Sequence, residues 1–117
     1  MDILITNNPM VEAQFKDMFK VEYIETDLIG ILTHVRDMVH KGHILLTHPL
    51  TGSVKPNESP YKSVMITGKS GSTDTQSVIM IGECILTAQK FIPKQIAEKY
   101  LNDLQMVDLS LIRTAVQ

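Results

Sequence analysis

The sequence predicts an α/β fold, Rossmann-like and three-layered, in which a small and mainly parallel sheet of about four strands lies between helices. Short apolar, β-branched runs alternate with helical patterns through residues 1–47, and the connections between them are too short to hold further elements. A chain of 117 residues is also long enough to bury a core. We therefore expect a single α/β domain over residues 1–117.

The first part of the chain is predicted to run strand, helix, strand, helix, strand. Asn8 and Asp27 are good helix-capping residues, Pro9 suits a first helical position, and Gly42 follows the second helix. This alternation predicts right-handed crossovers and parallel pairing. The three strands are predicted at residues 2–6 (DILIT), 21–25 (VEYIE) and 43–47 (HILLT).

Residues 61–67 (YKSVMIT) have the composition of a fourth strand. Residues 74–91 favour a helix because their apolar positions recur at helical spacing, but residues 77–82 also fit a strand in a hairpin with the fourth strand. Both interpretations stay open. Pro93 is predicted to begin a further helix, and Asp108 to cap a short last one.

Composition excludes several classes of function. The net charge of -2 and the few aromatic residues argue against nucleic-acid binding. The apolar runs are too short for a membrane span, and the first residues do not resemble a signal peptide, so a cytoplasmic protein is expected. The single cysteine, Cys84, and the spacing of the histidines predict no metal site, and no cofactor motif is complete because GxGxxG and the P-loop glycine are missing.

The segment LLTHPLTGSVKPNESPYKS, residues 45–63, is the best candidate for a site. In a parallel sheet the loops after the first and third strands leave at the same edge, so this segment should face TNNP, residues 6–9. Three prolines stiffen the segment, and its polar groups suit a small anionic ligand. The alternative is that residues 48–60 are only a structural connection. The predicted ligand-binding residues are Asn7, Asn8, Thr47, His48, Ser53, Lys55, Asn57 and Lys62.

Individual roles follow from residue chemistry. Asn8 is expected to cap a helix, which leaves Asn7 the freer of the two asparagines. Histidine is the side chain that ordinarily changes charge near neutral pH, so His48 is the candidate acid or base if the protein is an enzyme. Lys55 and Lys62 are interpreted as partners of an anion rather than as imine-forming lysines, which would need burial.

Two stretches make the chain resemble the GrdX family, whose members are encoded with the glycine, sarcosine and betaine reductase systems of amino-acid-fermenting anaerobic bacteria. They are ITNNP at residues 5–9 and KGHILLTHPLTGSVKPNESPYKS at residues 41–63. The resemblance implies an accessory, regulatory or assembly role, because the chemistry of the reductase resides in other components. It transfers no catalytic residue.

Three hypotheses follow. The first is an accessory protein that binds a small anionic ligand; the second is an enzyme that uses His48 on a phosphorylated or carboxylated metabolite. The third is an interaction module that displays the loop to a reductase subunit, and it predicts an exposed apolar patch. The sequence leaves a homo-oligomer open.

Overall fold

The computed structural model describes residues 1–50 and 55–116. In chain order its elements alternate at first and then become helical. They are β1 (Ile3–Thr6), α1 (Pro9–Phe15), β2 (Lys20–Tyr23), α2 (Leu28–His40), β3 (Ser63–Ile66), α3 (Thr75–Gln89), a 3-10 turn (Glu98–Tyr100) and α4 (Leu101–Val116).

The sheet has three strands among the described residues, in the order β2-β1-β3. Strand β1 lies in the centre and pairs with β2 in parallel and with β3 in antiparallel orientation. The four residues of β1 and of β3 are all buried, whereas β2 forms a half-exposed edge. The sheet is therefore mixed.

The prediction of a mainly parallel, four-stranded sheet is wrong in two respects. The predicted strand at residues 43–47 is reduced to one bridge, in which Leu45 pairs with Ile66 in antiparallel orientation. The predicted fourth strand becomes β3 and lies between that bridge and β1. The physical reason lies in the connection to β3. Of the residues between 47 and 63 that the structure describes, 48–50 and 55–62, none belongs to a helix that could carry the chain across the sheet, and without such a crossover β3 pairs with β1 in antiparallel orientation.

Helices cover both faces of the sheet. On one face Ile3 and Ile5 pack into a core with the buried residues of α2 and α3. On the other face Leu4 and Met65 pack with residues of α1 and α4. This alternation of side chains along β1 is the period of two that a strand imposes. The predicted arrangement of helices on both sides of a small sheet is confirmed.

The helix prediction for residues 74–91 is confirmed by α3, which excludes the strand alternative. The predictions for the C-terminal part are wrong. Residues 93–97 form no helix, and the chain is helical only from the 3-10 turn through α4. Asp108 does not cap a helix but lies in the middle of α4, where it is buried. Among the described helices, none is both long and apolar enough to cross a bilayer.

Candidate functional site

A buried carboxylate organises the edge of the sheet at which β1 ends and β3 begins. Asp108 has 6% of its surface exposed, and its Oδ2 accepts hydrogen bonds from Ser63 Oγ at 2.7 Å and Asn8 Nδ2 at 3.0 Å. Ser63 Oγ also lies 2.7 Å from Thr6 Oγ1, which accepts from the Asn8 backbone N–H. This network joins α4 to β1, β3 and the first residue before α1.

The two asparagines of the TNNP segment are both engaged by protein groups. Asn8 Oδ1 caps α1 by accepting from Met10 N, as predicted, and its Nδ2 also donates to Gln105 O at 2.9 Å. Asn7 Nδ2 donates to Thr26 O and Pro60 O, and its Oδ1 accepts from Lys62 N at 2.9 Å. The prediction that Asn7 is the freer of the two is wrong, because its buried amide links β1 to both loops beside it.

Lys62 is the residue that changes the interpretation of this edge. Its surface is only 9% exposed, and it lines a narrow pocket together with Asp108. The pocket encloses about 20 Å³, which is room for a single water molecule or the head group of a small ligand. The premise that this lysine is too exposed for reactive chemistry is therefore wrong.

Burial is the main influence on the pKa of the Lys62 side chain. It lowers the pKa of the ammonium below the usual value of a lysine, because a charged group loses hydration inside the protein. Asp108 and, more weakly, Cys84 act in the opposite direction and raise the same pKa, but they do not outweigh burial. Among the described residues, Lys62 forms no ion pair.

The pocket presents hydrogen-bond donors beside Lys62. Tyr61 OH accepts from Gln105 Nε2 at 2.8 Å, and Ser59 Oγ accepts from Tyr61 N at 3.2 Å, so each hydroxyl keeps its own hydrogen to donate. Lys55 is exposed at the pocket and brings a second positive charge. The walls between these groups are apolar, and they are formed by Leu28, Leu50, Pro56, Val107 and Leu111.

A larger cavity of about 350 Å³ adjoins the pocket and shares Leu28, Pro56 and Ser59 with it. Asn57 lines this second cavity and donates to Ile92 O at 2.9 Å. Its Oδ1 is buried and has no hydrogen-bond partner among the described residues. Volumes near 350 Å³ are at the lower end of the range of small-molecule sites.

The other predicted site residues lie elsewhere or have local roles. Thr47 Oγ1 accepts from Met65 N at 3.0 Å, which fixes the bridge segment to β3. His48 Nδ1 accepts from Leu50 N, and its exposed ring faces a groove beside α3 rather than the Lys62 pocket. The predicted site residue Ser53 lies outside the described residues. The structure thus brings Asn7 and Lys62 together and places Lys55 at the pocket of Lys62.

Cys84 is buried, as expected for an apolar position of α3. Burial raises the pKa of its thiol, while the Leu50 backbone N–H and the charge of Lys62 lower it. In the described part of the chain, no group of three or more His, Cys, Asp and Glu side chains is arranged to hold a metal ion.

Sequence reasoning missed Asp108, although the sequence contains a signal for it. Leu104, Asp108 and Ile112 recur every four residues, so they share one face of α4. Ile112 is buried in the core on that face, and a carboxylate in such a row must enter the protein with partners. Ser63 and Asn8 are those partners, but they lie far from Asp108 in the chain, so the sequence alone does not identify them.

Comparison with known proteins gives one family. The family model described as GrdX-like protein matches residues 3–117. Searches of curated proteins and of solved structures give no significant match. The match extends over almost the whole chain and includes β1, β3 and α4, which together form the candidate site. The chain therefore belongs to the GrdX-like protein family.

Proposed function

We propose that this chain is an accessory protein of a glycine, sarcosine or betaine reductase system, and that it binds a small carboxylate-bearing ligand in the pocket of Lys62. Membership of the GrdX-like family supports the reductase context. The observation that carries the binding proposal is a lysine side chain, nine-tenths buried, that lines an open pocket.

Charge explains why the ligand is an anion. A buried ammonium is unfavourable unless an opposite charge or several hydrogen bonds compensate for its lost hydration. Asp108 supplies part of that compensation, but its Oδ2 already accepts from Ser63 and Asn8. A ligand carboxylate accepts hydrogen bonds from Lys62 and from the hydroxyls of Ser59 and Tyr61.

Size restricts the ligand further. The space of about 20 Å³ beside Lys62 suits a carboxylate or a group of similar size. The rest of the ligand lies toward Lys55 or enters the adjoining cavity of about 350 Å³ through the shared residues Leu28, Pro56 and Ser59. This favours small metabolites over nucleotides.

The proposal is tested by titrating the protein with acetate, glycine, betaine and inorganic phosphate in isothermal calorimetry. We expect a carboxylate to bind, and Lys62→Met to weaken it about tenfold to a hundredfold, the value of one charge-assisted hydrogen bond of about 1.5–3 kcal/mol. Lys69→Met is the matched control, because Lys69 is exposed and lies in a loop away from the pocket. If no probe binds, or if the two variants bind equally well, the pocket is not the site.

A second candidate function is docking to another protein, and exposed apolar side chains favour it. Ile79 and Leu46 are 54% and 48% exposed, and Ile44 and Met80 also face solvent. These four residues line two grooves between α3 and residues 44–50, which share His48, Gln76 and Met80. An apolar surface of this kind is typical of interaction sites.

Purified reductase components test the docking candidate in a direct binding assay. Ile79→Glu should abolish binding, whereas Met106→Glu, a change at an exposed apolar residue of α4, should leave it intact. Equal binding by both variants would exclude this surface.

A further inference from the structure

The Lys62 side chain has the surroundings that make a lysine nucleophilic. It is nine-tenths buried, and three leucines, Leu28, Leu50 and Leu111, line its pocket. Lys62 is not among the lysines and arginines that form ion pairs with carboxylates in the described part of the chain. A lysine in such a position loses its proton at a lower pH than a lysine on the surface.

The titratable groups around Lys62 are few and can be named. Asp108 of α4 and Cys84 of α3 act on it electrostatically, and Lys55 and Tyr61 line the same pocket. Burial dominates their combined effect and lowers the pKa of Lys62. A larger fraction of neutral amine is therefore present near neutral pH than at an exposed lysine, and only the neutral amine attacks a carbonyl carbon.

We propose that Lys62 Nζ forms an imine with a small 2-oxo acid that enters this pocket. This inference rests on the proposed function, because the carboxylate of the 2-oxo acid is the group that the pocket binds. Lys55, Ser59 and Tyr61 hold that carboxylate, and the adjacent carbonyl carbon then lies toward the amine.

The reaction needs no oxidant or reductant. The nitrogen lone pair attacks the carbonyl carbon, and the carbonyl oxygen takes up a proton to give a carbinolamine. Loss of the hydroxyl group with the remaining nitrogen proton then releases one water and leaves a C=N bond. Asp108 lines the same pocket but does not pair directly with Lys62, so the proton passes from nitrogen to the departing hydroxyl through a water molecule.

Reductive trapping tests the inference on the whole chain. Glyoxylate and sodium cyanoborohydride at neutral pH convert an imine into a stable carboxymethyl-lysine, which peptide mass mapping assigns to a residue. We expect Lys62 to be labelled faster than Lys69, because the lowered pKa of Lys62 leaves a larger fraction of neutral amine. The preference should disappear in urea.

Variants and binding data separate the two proposals. Lys62→Arg keeps a positive charge but cannot form an imine, so it should lose the adduct and retain part of the carboxylate binding. Acetate binding without preferential labelling of Lys62 would overturn the imine proposal but would support the proposed binding site. Absence of both would overturn both proposals. The comparison of Lys62 with Lys69 within the unmodified chain does not depend on whether a variant folds.

Discussion

Replacement of Asp108 by alanine should strongly destabilise the fold. Asp108 Oδ2 accepts from two buried donors, Ser63 Oγ at 2.7 Å and Asn8 Nδ2 at 3.0 Å. A buried donor without a partner costs about 1–3 kcal/mol, so two would cost about 2–6 kcal/mol. Two alternatives reduce this sum, because Ser63 can turn to Thr6 Oγ1 and Asn8 Nδ2 still donates to Gln105 O.

We therefore expect Asp108→Ala to lower the free energy of unfolding by about 3 kcal/mol, a large part of the roughly 5–15 kcal/mol of a typical domain. Asp108→Asn keeps an oxygen that can accept both bonds and loses only the charge, so it should cost about 1–2 kcal/mol. Urea unfolding followed by far-UV circular dichroism measures both values.

The matched control is Asp103→Ala, because Asp103 is an exposed acid in the first turn of the same helix. Its favourable interaction with the helix dipole is worth at most about 1 kcal/mol. If Asp108→Ala were no more destabilising than Asp103→Ala, the hydrogen bonds of Asp108 would not hold the sheet edge together, and the reasoning would be refuted.

Two further predictions concern the same edge. Asn7→Ala leaves Lys62 N, Thr26 O and Pro60 O without their partner, and it should cost about 2–4 kcal/mol in the same unfolding assay. The free energy of unfolding of the unmodified protein should rise with pH, and Lys62→Met should remove the part of that rise that Lys62 contributes. The folded chain releases the Lys62 proton at a lower pH than the unfolded chain, so the unfolded state holds more protons between the two pKa values. Unfolding free energies measured as the pH rises toward 10.5, the usual pKa of a lysine, should thus increase more steeply in the unmodified protein.

Each of these predictions has its own contrary result. Asn102→Ala, at an exposed asparagine of α4, is the control for Asn7→Ala, and equal losses would show that the Asn7 bonds contribute little. For Lys62, parallel plots of stability against pH in Lys62→Met and the unmodified chain would mean that burial does not lower its pKa. Burial raises the pKa of Cys84, which opposes the rise at higher pH, but both proteins contain this thiol.

Local patterns in the sequence are sufficient to predict most elements of this fold. The β-branched run at β1, the caps at Asn8 and Asp27, and the helical spacing of α3 each depend on residues close in the chain. The direction of β3 is different. Strand β3 pairs in antiparallel orientation with β1 and with the bridge at Leu45, and no local pattern in the sequence records this long-range pairing.

The site was harder to predict than the fold. The predicted meeting of TNNP with the segment before β3 is confirmed by the contact of Asn7 with Lys62, but the parallel strands from which it was predicted are wrong. The hydrogen bonds of Asn7 could not be predicted, because the sequence does not show whether an asparagine binds a ligand or three backbone groups. The polar sequence around Lys62 gives no sign that this residue is buried. Asp108 lines the same pocket but lies far from Lys62 in sequence, near the other end of the chain.

The most direct test of the central claim is the pH titration of the Lys62 side chain, followed by the ¹³Cε chemical shift with and without acetate. The claim predicts a pKa below the usual value of a lysine in the free protein, and a rise in that pKa when acetate binds, because an anion favours the protonated amine. A Lys62 that titrates at the usual value of a lysine, and that does not respond to acetate, would contradict the claim.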